Sequence, residues 1–459
     1  MRATIATIAL LSVVVGAIAQ PLGGGAAAGF VAACGLIVYV LLEGWSCQGN
    51  GRIILLMAAT AAIVTVIGHP APWAVLSKAA MAAAAIIGLF TALGFLREAA
   101  ESSALVQSCG ELMVRQPPGR RYLALTLGSH LISLVLNFGV LPLLGTMVVK
   151  GNTLEAAGGD PRIVAIRSQR MLSAMLRGFA VMTAWSPLSV SFAVTVTVIP
   201  GLPWQSLLLV QALLAALLLI LGLILDRRAF PPSGQALPGI GGATDWKPAW
   251  RMAALVAAVV IGAIAVAELL SLRLVHGAMI VVPPAALIWL WVQQRDVLNV
   301  FYGLGPKLRV SMPAFRDEVA MLGGAMFVGT VASAFLSAES LGQIIEGLGL
   351  PPLFLVILLA WAVMILAQLG ISQILSVTLL GGALVHVAPP LLLASALMGA
   401  WALSACSTPV GAAVLTVARI GNVPVRRVAS DWNGRFVLAG AVVLAFWLVG
   451  LDGLLFAFG

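Results

Sequence analysis

The sequence predicts an all-α polytopic membrane protein of about 11 transmembrane helices plus two re-entrant hairpins in an inverted repeat. Three observations predict it. Of 459 residues, 61% are apolar and 9% charged, against about 25% charged in an ordinary soluble chain. Apolar runs of membrane-crossing length recur along the sequence. Lys and Arg gather in the short segments between those runs. Soluble enzymes, disordered scaffolds and secreted disulfide modules are excluded. A net charge of +9 would point to nucleic acid on a soluble domain. Spread over short loops it reads as an orientation signal facing anionic lipid, and no nucleic acid partner is expected. Cys34, Cys47, Cys109 and Cys406 lie far apart, with neither disulfide-framework nor zinc-ligand spacing.

Taken in order, simple spans fall near 3–19, 25–43, 53–69, 75–95, 206–225, 250–267, 274–292, 318–336 and 436–458. Each approaches the roughly 20 helical residues that cross about 30 Å of hydrocarbon. The first, with Arg2 ahead of it and Ala17-Ile18-Ala19 behind, also has the form of a cleavable signal peptide. Four stretches are irregular. Residues 122–150 are long for one span and short for two, and carry His130, Asn137, Gly139 and Pro142. Residues 351–387 carry Gln368, Gly370, Ser372, Gln373 and a Gly381-Gly382 pair. Residues 171–199 and 389–418 have span length but are broken by Ser186-Pro187 and by Ser407-Thr408-Pro409.

If 122–150 and 351–387 are hairpins that return to the face they entered, while the broken stretches cross, the loops sort by charge. All of the 25 Lys and Arg except Lys78, Arg177 and Arg273 then lie on one side. By the positive-inside rule that side is cytoplasmic. This places the chain in the inner membrane, with the N-terminus cytoplasmic and the C-terminus periplasmic. Outer loops are expected near 20–24, 70–74, 200–205, 268–273 and 337–350. A single crossing at 122–150 would put Lys150, Arg162, Arg167 and Arg170 outside.

The order span, amphipathic arm, hairpin, broken span, span then occurs twice. The expected organisation is N-terminal scaffold helices over 1–74, a first repeat over 75–225, connecting helices and cytoplasmic loops over 226–317, and a second, inverted repeat over 318–459. Asn137-Phe138-Gly139 pairs with Gln368-Leu369-Gly370, and Thr183-Ala184-Trp185-Ser186 with Ser404-Ala405-Cys406-Ser407. Gly178 and Gly399 each stand five residues before these last motifs. Backbone freed from a helix within lipid must line protein or water, so four breaks imply a polar chamber. Secondary transporters place their substrate where such breaks meet.

Over roughly 75–458 the chain resembles the ion transporter superfamily, and within it the divalent anion/sodium symporter family of dicarboxylate and citrate carriers. The resemblance rests on this architecture and on Ala405-Cys406-Ser407-Thr408-Pro409-Val410-Gly411, similar to that family's Thr-Pro-Ile-Gly break. Ala184-Trp185-Ser186-Pro187 is a degenerate version in the first repeat. The resemblance implies a homodimer with a fixed scaffold and an elevator-like transport domain. The family's Ser-Asn-Thr hairpin tips are replaced here by Asn137-Phe138-Gly139 and Gly370-Ile371-Ser372-Gln373. The asparagine that often follows the Thr-Pro-Ile-Gly break is absent.

Arg177 is the most informative single residue, because an arginine within a span is rare and faces a cavity or a partner. Its fork of donors fits a carboxylate, or backbone carbonyls in a structural pair. His130 is the candidate proton-coupling group, its alternative being a packing role. Asn137 and Gln368 sit at equivalent tips, where an amide binds an ion or carboxylate or caps freed backbone. Ser186, Ser407 and Thr408 are candidate donors to solute oxygens. Ser372, Gln373, Ser189 and Ser191 are weaker ones, and Gly139 and Gly370 allow close approach at the tips. No Asp or Glu lies in either hairpin or broken helix, which disfavours a cation exchanger.

The expected function is secondary active transport of small anions, di- or tricarboxylates first, coupled to sodium or protons. The alternatives are cation/proton antiport or oxyanion efflux on the same fold, and a non-transporting membrane scaffold. Neither enzymatic activity, a cofactor nor a metal is expected, sodium being a possible coupling ion.

Overall fold

The computed structural model describes residues 1–231, 245–335 and 349–458, and every regular element among them is helical. The expectation of an all-α fold is therefore met. Among the described residues nine stretches are long and apolar enough to cross a membrane by length and composition, and two of them, Arg2–Ser46 and Gly119–Gly151, each hold two helices.

The N-terminal helices are α1 (Arg2–Ala19), α2 (Gly25–Glu43), α3 (Gly49–Gly68) and α4 (Pro72–Glu101). They pack with α11 (Lys247–Leu269), α12 (Leu274–Gln294), α13 (Val297–Ala314) and α14 (Arg316–Phe335) into one group. The second group begins with α6 (Pro118–Leu136) and α7 (Val140–Gly151), joined in a hairpin that α5 (Ala104–Val114) precedes. It continues with α8 (Pro161–Met182), α9 (Val190–Val198) and α10 (Trp204–Ala229). Its later members are the hairpin of α15 (Pro352–Gln368) and α16 (Gln373–Leu384), then α17 (Pro390–Ala405), α18 (Ala412–Gly421) and α19 (Gly434–Phe458).

Local chemistry explains the boundaries. Proline opens α4, α6, α8, α15 and α17, where its missing N–H costs nothing. Side chains of Ser103, Asp160 and Ser189 cap α5, α8 and α9. The arms α7 and α16, 12 residues each, reach about 18 Å at 1.5 Å per residue. That is well short of a hydrocarbon core. All nine simple spans coincide with helices: α1–α4, α10–α12, α14 and α19. The loop expected over 337–350 lies outside the described residues apart from its last two positions.

One stretch differs from expectation. Residues 297–314, read from sequence as part of a cytoplasmic loop, form α13, which buries Val300, Leu308 and Met312 against α1 and α12. Pro306 and Pro313 inside the run mask its helical period, while the Asp296 side chain caps its first turn.

The core centres on the broken helices. Every residue of Met171–Met182 in α8 and of Leu392–Ala405 in α17 is buried. By contrast, α10 exposes Leu209, Leu213, Leu217, Ile220 and Ile224 along one stripe, as a lipid-facing helix does. Without a hydrophobic drive between helices in lipid, close backbone approach supplies the packing. At Gly178 a side-chain carbon would collide with the Thr126 carbonyl oxygen of α6.

Candidate functional site

The two hairpins turn at 137–139 and 369–372, the second with Leu369 and Ile371 exposed. At the first tip Asn137 takes a φ of 49°, a conformation asparagine tolerates better than most side chains. Its amide makes no hydrogen bond among the described residues. Phe138 beside it packs on Phe179 with ring centroids 4.9 Å apart. At the second tip Gly370 takes a φ of 89°, which suits glycine alone. Three hydrogen bonds tie this hairpin to α17 and the break that follows it. Gln368 Nε2 donates to Ser407 Oγ (2.6 Å), Thr408 Oγ1 to the Ala367 carbonyl (2.7 Å), and Gln373 Nε2 to the Trp401 carbonyl (3.0 Å).

The first break, between α8 and α9, frees carbonyls that side chains satisfy. Gln211 Nε2 of α10 donates to the Ala184 carbonyl at 2.7 Å. Ser395 Oγ of α17 donates to Gln211 Oε1 (2.7 Å), and Trp447 Nε1 of α19 donates to Ser395 Oγ (3.0 Å). Ser189 Oγ donates to the Ser186 carbonyl, and Ser186 Oγ accepts from the Leu188 N–H. Freed backbone is thus paired inside protein, as a lipid environment demands.

Tips and breaks meet at one cavity of about 430 Å³, closed on its other side by α3 and α14. The tips contribute Asn137 and Phe138 from one hairpin and Gly370 to Gln373 from the other. The breaks contribute Thr183 and Ser189 to Ser191, and Thr408 with Val410 to Ala412. Three helix N-termini, those of α9, α16 and α18, therefore reach the cavity wall, and the last two carry no side-chain cap. Uncapped N–H groups and the positive dipole ends favour negative charge there. No charged residue lines the cavity among the described residues. A second chamber of about 30 Å³, roughly the share of one water, lies beside the first tip, with Arg97 and Glu318 among its lining.

Of the residues singled out from sequence, Asn137, Ser189, Ser191, Gly370, Ser372, Gln373 and Thr408 line the cavity. Gly139 stands behind the first tip, within 3.7 Å of Arg97 Nε as measured from an added Cβ. Gln368 and Ser407 bond each other and are not among the lining residues. Ser186 is fully buried in the break. Arg177, expected at the solute, instead donates to Asn433 Oδ1 (3.0 Å), the Tyr122 hydroxyl (3.1 Å) and the Trp432 carbonyl (2.8 Å). Its guanidinium also lies over the Phe436 ring at 4.9 Å. Every donor nitrogen is engaged, so it is a structural tie between α8 and the segment before α19.

His130 is placed similarly. Trp185 Nε1 donates to its Nε2 at 2.9 Å, which puts the ring proton on Nδ1, 3.2 Å from the Gly178 carbonyl. Protonation would turn the accepting nitrogen into a donor facing another donor. Sequence reasoning missed the α3 and α14 wall (Ile53, Met57, Met321) together with Phe179 and Trp401, because these apolar residues gain meaning only from contact.

No family model matches the sequence, and no curated protein does. Among solved structures the fold is similar to that of the Alcanivorax borkumensis YdaH transporter, whose crystal structure reveals an unusual topology. The TM-score is 0.52 at 14% identity, over 88% of this chain and 98% of that one. At such identity the likeness speaks for fold alone. The chain is a multi-pass, all-helical membrane protein whose architecture is similar to that of a membrane transporter.

Proposed function

We propose that the chain is a secondary active transporter of small organic anions working by alternating access, with the solute held between the hairpin tips and helix breaks. One observation carries the reading: two tips and two breaks converge on one cavity that three helix N-termini reach and that, among the described residues, no acidic side chain lines. Di- and tricarboxylates are the compact members of the class. Cation/proton antiport fits poorly, since it calls for an acid at the site.

The short arms α7 and α16 support re-entrant hairpins, and the basic residues support a cytoplasmic N-terminus. The register of the two helix groups supports an inward-open state. Asn50 to Met57 lie in the first two turns of α3, beside Arg52, and the first tip neighbours Arg97, Phe315 and Glu318. These positions are toward the basic, cytoplasmic ends of α3, α4 and α14. A transport unit whose midpoint sits level with those ends has moved inward against its scaffold, as an elevator does. Sodium or protons supply the coupling, and the working unit is a homodimer in the inner membrane.

Uptake of labelled organic anions into proteoliposomes, under separate sodium and pH gradients, tests this. Asn137→Ala is expected to lower uptake roughly tenfold, the equivalent of one hydrogen bond of about 1.4 kcal/mol. If no organic anion enters above the level of empty liposomes under either gradient, the reading fails.

A further inference from the structure

We propose that the cavity selects an organic anion bearing one carboxylate on an apolar body, and discriminates against compact di- and tricarboxylates. The proposal rests on the transport reading above and narrows it.

The polar groups free to meet a solute are few. Gln373, Thr408, Ser189 and Thr183 line the cavity, but each already donates to a backbone carbonyl. What remains is the Asn50 and Asn137 amides, the second N–H of Gln373, the Ser372 hydroxyl, the uncapped first turns of α16 and α18, and Ser191. Ser191 is 1% exposed, and its hydroxyl has no partner among the described residues. A buried hydroxyl in that state at a cavity wall calls for a ligand or water to complete it. These groups are neutral donors, and they match in sign a carboxylate whose two oxygens accept up to about four hydrogen bonds.

A second carboxylate meets no cation to balance its charge. No Lys, Arg or His lines the cavity among the described residues. Arg177 is occupied by Asn433, Tyr122 and Trp432, and Arg97, behind the first tip, is paired with Glu101 at 2.7 Å. An ion stripped of water without a compensating charge is strongly disfavoured. The rest of the wall is apolar, with Phe138 against Phe179, Trp401 from α17, and Met57 and Met321 from the facing helices. At about 430 Å³ the cavity falls in the range of roughly 300–1,000 Å³ that encloses organic ligands with a substantial apolar body.

The test uses the purified full-length chain in detergent and in liposomes, with 3-phenylpropionate, hexanoate, succinate and citrate as probes. Thermal unfolding and inhibition of labelled 3-phenylpropionate uptake are read. The two monoanions are expected to raise the unfolding temperature and compete, with succinate and citrate at least tenfold weaker. Succinate or citrate binding as tightly as 3-phenylpropionate, or being carried in its place, overturns this inference while leaving anion transport standing. If none of the four binds or moves, both readings fall. Met57→Arg supplies the missing cation at an exposed wall position, with Met57→Gln as the folding control. Succinate affinity is expected to rise at least tenfold in the arginine variant, and unchanged succinate binding in a protein that unfolds like the control overturns the charge argument.

Discussion

Arg177 and Asn137 make opposite use of polar side chains. Arg177 has three nitrogens bonded to Asn433, Tyr122 and the Trp432 carbonyl, and an aromatic face beneath its charge. A guanidinium is tolerable out of water only when its donors are satisfied in this way. Asn433 completes the tie, being fully buried and donating in turn to the Val428 carbonyl at 2.8 Å. Asn433→Ala should therefore cost about 1–3 kcal/mol of stability, read as a lower unfolding temperature in detergent, while solute affinity of the folded protein stays unchanged. A fall in affinity with stability intact would return Arg177 to the solute. That an arginine in an apolar stretch matters was legible from the sequence. Which of its two roles it takes was not, because its partners Trp432 and Asn433 stand 255 and 256 positions later.

At the scale of elements, the two hairpins share a design but not an anchorage. The second is latched to its break through Gln368, Thr408 and Gln373, whereas the Asn137 amide of the first has no partner among the described residues. A double-mutant cycle of Gln368→Ala and Ser407→Ala should give a coupling of about 0.5–1.5 kcal/mol in thermal unfolding. Strictly additive costs would show the latch to be incidental. Asn137→Ala has no such bond to lose, but alanine is strained at a φ of 49° and should cost about 1–2 kcal/mol of stability, whereas Asn137→Gly relieves that strain and should still lower transport. The tip positions and both helix breaks could be read from glycines, prolines and amides at matching places in the two halves. The pairing of Gln368 with Ser407 could not, since a single sequence shows two candidate donors and not that they satisfy each other.

For the whole molecule, the placement of the cavity against α3 and α14 sets which face reaches it. In a background with the exposed Cys34 replaced, Asn50→Cys and Met321→Cys should react with a membrane-impermeant maleimide only from the side bearing Arg52 and Arg316. 3-Phenylpropionate should slow the reaction. Labelling confined to the opposite face would reverse the inward-open assignment and the orientation drawn from the basic residues.

Composition and the length of apolar runs by themselves determined the membrane class, the nine simple spans and the four irregular stretches. Those properties are local: about 20 apolar helical residues have the length to cross and a 12-residue arm does not, whatever surrounds them. Tertiary structure alone decided which polar groups are spent and which are not, engaging Arg177, Gln368 and Ser407 as ties and leaving Asn137 and Ser191 unpaired among the described residues. It also decided that α3 and α14 close the cavity with apolar side chains. Hydrogen-bond satisfaction depends on partners brought together from distant parts of the chain, and no local pattern of residues encodes it.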